Sequence, residues 1–184
     1  MNKTLKWILI IVGGLAVLGF GGMQLLFYMT KQHSPEEIVS YSKDDLNIEV
    51  YYNRPYKKGR NIFGDLVPYG QIWRTGANEC STFETNKELT INGETLPKGK
   101  YTLWTIPNEN SWQVFFNSKM YGWGVNVDGS QVKDDAADVV VTTVPVQSPA
   151  SAVEQFTITV DDTSDGAALN LAWDDVMISV PIQK

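Results

Sequence analysis

The sequence predicts an all-β domain, an antiparallel β-sandwich or partly open barrel, preceded by one amino-terminal transmembrane helix. Three observations carry that prediction. From Trp7 to Met29 run 23 residues without a charge, broken only by Gln24 among polar types. Beyond them, apolar and polar residues alternate with a period of two in many short runs, the mark of half-buried strands. No segment past the apolar run keeps a helical period for ten residues.

About 20 apolar residues suffice to cross the hydrocarbon layer as a helix, so residues 7–29 read as a signal-anchor span. Lys3 and Lys6 precede it. The positive-inside bias then keeps residues 1–6 in the cytoplasm and delivers the rest across the cytoplasmic (inner) membrane as a single-pass protein. A cleaved signal peptide is the competing reading, with Gly19-Phe20-Gly21 matching the small-residue cleavage pattern. Against it, Met23, Leu25, Leu26, Phe27 and Tyr28 prolong the apolar run, so a retained anchor is preferred.

Residues 30–36 read as a polar juxtamembrane spacer and 37–184 as the extracytoplasmic domain. Ser34-Pro35-Glu36-Glu37 has the form of a capping box. Ile38, Val39 and Tyr41 nevertheless lead directly to the turn Lys43-Asp44-Asp45, which favours a strand from about Glu37. Leu46, Ile48, Val50 and Tyr52 alternate as a second strand. Further strands are expected over 71–75, 81–85 and 88–91, the last closed by Asn92-Gly93, the strongest short hairpin signal. Leu96-Pro97-Lys98-Gly99 is another turn, with proline presetting φ and glycine closing it. Strands over 100–106, 112–117, 139–146, 153–161, 169–173 and 176–182 complete the set. Residues 121–138, rich in Gly and Asp, read as a surface loop.

Residues 32–184 hold all 21 acids but only 12 bases, since Lys3, Lys6 and Lys31 lie before them. So acidic a domain is a poor partner for nucleic acid. Cys80 is the only cysteine, which excludes an internal disulfide and an iron–sulfur cluster. His33, the only histidine, sits in the spacer, so histidine-activated nucleophiles and histidine-ligated zinc have no place in the domain. No glycine-rich nucleotide loop opens a helix, and no cofactor is expected.

The motifs Tyr52-Asn53-Arg54-Pro55, Lys58-Gly59-Arg60, Ile62-Phe63-Gly64 and Val67-Pro68-Tyr69-Gly70 follow one another. Then come Trp73-Arg74-Thr75-Gly76-Ala77-Asn78-Glu79, Leu96-Pro97-Lys98-Gly99-Lys100-Tyr101-Thr102-Leu103 and Thr105-Ile106-Pro107. With Trp112, Phe116-Asn117, Trp123-Gly124 and Leu171-Ala172-Trp173, this order resembles a bacterial domain-of-unknown-function family, the one numbered 2911, common among envelope proteins of Bacteroidota. The resemblance covers roughly residues 34–183. It implies a β-rich exported domain and supplies no activity. Cys80 stands where a small residue such as alanine is expected, and the amino-terminal helix replaces a cleavable secretion signal.

All three arginines, Arg54, Arg60 and Arg74, fall between positions 54 and 74, beside Trp73, Asn78 and Glu79. Guanidinium groups fork onto carboxylates and phosphates. One reading has these six residues line a cleft for an anionic or carbohydrate small molecule, with the loop 121–138 as its rim. The other has the arginines pair with carboxylates and backbone carbonyls and only shape the loop. A catalytic Glu79, acting as acid or base in a hydrolase, is the alternative. Asp161, Thr163 and Asp165 occupy calcium-loop positions, but Ala172 stands where the bidentate glutamate belongs, so an acidic hairpin turn is preferred. The expectation is a membrane-anchored module of the cell envelope that binds a ligand or an envelope protein rather than catalysing. A purely structural envelope protein is the third reading.

Overall fold

A computed structural model describes residues 2–126 and 128–183. It divides into two units, one ending at His33 and one beginning at Ser34.

The first unit is a single helix, α1, over Lys3–His33. None of its residues is buried. A helix apolar all round has no water-facing side, and this one is long and apolar enough to cross a membrane. At 1.5 Å per residue its 31 residues span about 46 Å, more than the ~30 Å of hydrocarbon. It runs on into the expected spacer. The chain leaves the helix at Ser34, whose α conformation the ring of Pro35 disfavours.

The second unit is built of antiparallel strands. The hairpin of β1 (Glu36–Lys43) and β2 (Leu46–Asn53) comes first, in full register from Glu36↔Asn53 to Lys43↔Leu46. β3 (Thr82–Thr85) pairs with β2. β4 (Leu89–Ile91) and β5 (Glu94–Leu96) form a small hairpin about Asn92-Gly93, and β6 (Gly99–Pro107) and β7 (Ser111–Asn117) a long one. A 3₁₀ turn over Asp135–Ala137 leads into β8 (Asp138–Gln147). β9 (Val153–Thr163), β10 (Gly166–Asp174) and β11 (Val176–Gln183) close the chain.

The strand order is β1-β2-β3-β6-β7-β8-β11-β10-β9, with the β4–β5 hairpin attached to β11. One continuous path bends round until its two ends meet, so of the two expected forms the partly open barrel is the one adopted. Past β2 the chain turns onto the free edge of β9: Phe156 N donates to Pro55 O at 2.9 Å and Lys57 N to Glu154 O at 2.7 Å. At the other end of the seam Tyr41 Oη and Lys43 Nζ both reach Asp162 Oδ1, at 2.7 and 2.9 Å. A sheet so nearly closed on itself leaves little exposed edge for another chain to join.

Inward-facing residues fill the barrel. Leu46, Ile48, Val50 and Tyr52 of β2, Phe156 and Ile158 of β9, Leu169, Leu171 and Trp173 of β10 and Ile178, Val180 and Ile182 of β11 are all buried. Each such side chain contributes about 1.5–3 kcal/mol of transfer free energy. Phe63, Trp73, Trp112, Phe156 and Trp173 meet in one cluster, its closest pair Phe63 and Trp112 with centroids 4.9 Å apart. Edge-to-face contacts of this kind add to area burial.

Two strand expectations need correction. Residues 71–75 are not a strand: Trp73 alone bridges to Thr105, because Thr75 takes φ +58° and Gly76 φ +154°, which no ladder accommodates. Residues 94–96, where no strand was expected, form β5; of its three residues only Leu96 is buried, so it shows no alternation to read.

Candidate functional site

The string Trp73–Glu79 is a loop locked from several sides. Trp73 exchanges both backbone hydrogen bonds with Thr105 on β6, at 2.8 and 2.9 Å. Trp73 Nε1 donates to Gly76 O at 3.1 Å, and Ser81 Oγ to Thr75 O at 2.6 Å. Below the loop lies Asn53, which is wholly buried. Its Oδ1 accepts from Asn78 Nδ2 at 3.4 Å and its Nδ2 donates to Glu79 Oε2 at 3.1 Å. Thr75 and Asn78 both hold positive φ, +58° and +54°. Non-glycine residues keep such backbone only where their surroundings over-determine it.

The three arginines end on different partners. Arg54 gives Nε to Phe156 O at 3.2 Å, Nη2 to Thr157 Oγ1 at 3.0 Å and Nη1 to Glu37, which ties β9 to the start of the seam. Arg60 donates to the carbonyls of Lys57 and Tyr56 in its own turn. Arg74 donates Nη1 to Trp123 O at 3.0 Å. Burial lowers the Arg74 pKa, and Cys80 and Glu79 act against that. Of the four cavities described among these residues, none is lined by Arg54, Arg60 or Arg74. Among the described residues, Trp73 is held by Thr105 and Asn78 and Glu79 by Asn53, while the three arginines make their hydrogen bonds to separate partners.

The acidic turn expected between two strands is the β9–β10 hairpin, closed by Thr163 opposite Gly166. Asp161 Oδ2 accepts from Thr159 Oγ1 at 2.6 Å and from Asn170 Nδ2 at 2.8 Å. Among the described residues no three His, Cys, Asp or Glu side chains are grouped to hold a metal ion.

The outer face of the barrel carries a second feature. There Trp104 of β6 and Phe115 of β7 stand opposite each other and, with Cys80, form a second apolar cluster separate from the core. Residues 119–126 and 130–134, a strap that overlaps the expected rim loop 121–138, roof it. Cys80 N donates to Gly122 O at 2.9 Å, Val132 N to Gly124 O at 3.0 Å and Asp134 N to Tyr121 Oη at 2.8 Å. Tyr121 meets Trp104 edge-on at 5.3 Å. Burial pushes the Cys80 thiol up to about 12, partly offset by Arg74. A thiol so protonated is no nucleophile.

Beside this cluster opens a cleft of about 410 Å³ floored by Ile72, Ile106 and Phe115. Its other wall carries Gln131, Lys133, Asp135 and Asp138. The Lys133 side chain is only 5 % exposed. Its Nζ donates to Asp135 at 2.8 Å and Asp138 at 2.5 Å and lies 4.3 Å from the Phe115 ring centroid. Burial would lower the Lys133 pKa, but the hydrogen bonds to Asp135 and Asp138 outweigh it and the pKa rises. Gln131 Oε1 is buried without a hydrogen-bond partner. Sequence reasoning missed these four residues because a polar loop has no period. The only trace is one lysine set two and five residues before an aspartate.

Set against protein-family models, residues 34–182 match the family described as Protein of unknown function (DUF2911). The chain belongs to this family. The matched range takes in all but the last residue of the DUF2911 barrel, together with the motif loop and the strap, and begins one residue after α1 ends. Comparison with curated proteins and with solved structures gives no match.

Proposed function

We propose that this DUF2911 chain is a small-molecule binding module held at the cytoplasmic membrane by α1, with its barrel on the extracytoplasmic side and its ligand in the outer cleft beneath the strap. One observation carries the binding: a cleft of about 410 Å³ sets an apolar floor of Ile72, Ile106 and Phe115 against a polar wall of Gln131, Lys133, Asp135 and Asp138. Pockets that combine an apolar floor with a few placed polar groups are the usual form of a ligand site.

The motif loop supports this reading indirectly. Ile72 contributes to the floor, and Arg74 pins the strap through Trp123. In this view Arg54 and Arg60 shape the scaffold, and ligand contact shifts from the arginines to the rim.

The test uses the full chain in detergent and a panel of neutral, cationic and anionic compounds, read by thermal shift. Ile106→Trp places an indole across the floor. Compounds that raise the melting temperature of the native chain and not of this variant support the cleft, and a panel without such a compound refutes it. Protease added to intact spheroplasts reads the orientation: digestion of the barrel is expected, and protection would reverse the proposed topology.

A further inference from the structure

We infer that α1 pairs in parallel with α1 of a second copy of this chain, along a seam where the two Gln24 side chains hydrogen-bond to each other and Gly14 and Gly21 bring the backbones together. The inference rests on the reading of α1 as a retained membrane anchor and goes beyond it. It starts from Gln24, the one polar residue breaking the uncharged run from Trp7 to Met29. That run is centred on Leu18, which puts Gln24 about 9 Å from the midplane of a layer whose surfaces lie about 15 Å away. The amide therefore sits inside the hydrocarbon. Side chains of a helix lean towards its amino terminus, so Gln24 points back to the midplane rather than out to the nearer surface. Within a turn of it stand Phe20, Gly21, Phe27 and Tyr28, of which only Tyr28 carries a polar group. Tyrosine hydroxyls settle at the interface with water. An amide in hydrocarbon is costly unless hydrogen-bonded, so polar residues of membrane helices face a protein partner.

The glycines supply an independent observation. A spacing of seven residues returns to the same face of a helix within about 20°. Trp7, Gly14, Gly21 and Tyr28 follow that spacing, and Ile10, Val17 and Gln24 follow it three residues on; these are the two positions that form the seam of a coiled pair. Gln24 and the two glycines thus share one face, and Gly19 lies on the opposite one. Glycine is a poor helix former. A Cβ added at Gly14 or Gly21 would meet nothing within 4 Å, so no neighbour among the described residues calls for their smallness. Close approach of a second helix does, because association in lipid is driven by packing and interhelical hydrogen bonds. The amide chooses the partner: glutamine carries one acceptor and two donors, so two of them at equal depth satisfy each other in both directions. Single-pass copies inserted the same way run parallel, and a second copy sets Gln24 against Gln24 and glycine against glycine.

The test uses the full chain in phosphatidylcholine vesicles, with donor and acceptor dyes on the amino termini of separate batches. Energy transfer is followed as lipid is added, after an alkaline wash and a mass measurement have shown whether intact chain stays with the vesicles. Gln24→Leu is expected to pair about three- to tenfold more weakly than the native chain. Gly21→Leu, which thickens the seam, is expected to weaken pairing by about tenfold or more, and Gly19→Leu on the opposite face to leave it unchanged. In a Cys80→Ala background, Val17→Cys is expected to give a cross-linked dimer on oxidation and Met23→Cys, away from the seam, none. Equal transfer in the native chain and Gln24→Leu overturns the inference. So does an equal effect of Gly19→Leu and Gly21→Leu, or cross-linking of Met23→Cys as strong as that of Val17→Cys. If the intact chain stays with the vesicles and shows no transfer, the pairing falls and the anchor stands. If the chain washes off or has lost α1, both fall.

Discussion

The Arg54 guanidinium donates to the Phe156 carbonyl oxygen at 3.2 Å across a separation of 102 residues, and with Thr157 and Glu37 it draws β9 to the end of β2. Arg60, six positions on, spends its guanidinium on Tyr56 and Lys57, carbonyls of its own turn. The two arginines should therefore behave differently. Arg54→Ala leaves a part-buried carbonyl short of a donor and is expected to destabilise the barrel by about 1–3 kcal/mol. Arg60→Ala, at an exposed turn, is expected to stay within about 0.5 kcal/mol. Chemical denaturation of both variants, compared by midpoint at constant slope, checks the ranking. Equal losses would mean that Arg54 does not hold the seam.

Gly76 passes close against the end of β2. A Cβ added there would lie 3.0 Å from the Asn53 carbonyl oxygen and 3.1 Å from Ser81 Oγ, and φ is +154°. Both the backbone conformation and the space require glycine. Gly76→Ala is expected to cost about 2–4 kcal/mol, the sum of strain and displacement of buried Asn53. Gly59→Ala makes the control: φ is +69°, nothing lies within 4 Å, and about 1 kcal/mol is expected. Melting temperatures of the two variants test this, and a smaller drop at Gly76 than at Gly59 would contradict it.

Asp162 closes the far end of the seam, and its pKa is lowered first by the hydrogen bond from Lys43 and then by that from Tyr41. A carboxylate with a depressed folded pKa contributes stability above its ordinary value of about 3.9 and loses it as pH falls through the folded value. The native chain should thus lose part of its stability below about pH 4 through this group. In Asp162→Asn that part of the acid limb is expected to flatten. Urea midpoints between neutral and acid pH read the effect, and parallel curves for the two proteins would show that the contact adds nothing.

How far the sequence reveals this molecule depends on the range over which each feature is determined. The alternation in β2 is local, so Leu46, Ile48, Val50 and Tyr52 announce their strand, and the same holds for β9 to β11. Asn92-Gly93 and Pro97 mark turns by their own φ preferences. Residues 71–75 read as a strand because composition alone does not show that Thr75, bonded to Ser81 and Thr105, takes a positive φ. The arginines lie near one another in sequence, yet Phe156 and Thr157, which Arg54 reaches, and Trp123, which Arg74 reaches, lie 49 to 103 residues away. Closeness along the chain therefore said nothing about convergence. The cleft is harder still: Gln131 and Lys133 acquire meaning only from Phe115 and Asp138 after the strap has folded across β6 and β7.

Cys80 offers a probe of that strap. The thiol is 2 % exposed, and the chain passes so near that a Cβ on Gly124 would lie 2.8 Å from Trp104 and closer still to the sulfur. Burial raises its pKa from the ordinary 9.0 to about 12. For a raised folded pKa the contribution to stability is complete below the unfolded value and declines as pH rises towards the folded one. Above about pH 9 the unfolded chain ionises this thiol while the folded chain does not, so stability should fall by up to about 1.4 kcal/mol per pH unit from this group. Cys80→Ala, which removes the titration and a little packing, is expected to be slightly less stable at pH 7 and to lose less between pH 9 and 11. Denaturation curves of the two proteins across that window make the comparison, with thiol labelling of the native chain as a second readout. Labelling that is fast at pH 7 would mean the strap opens readily over β6 and β7, and the enclosed site argued for Cys80 would be wrong.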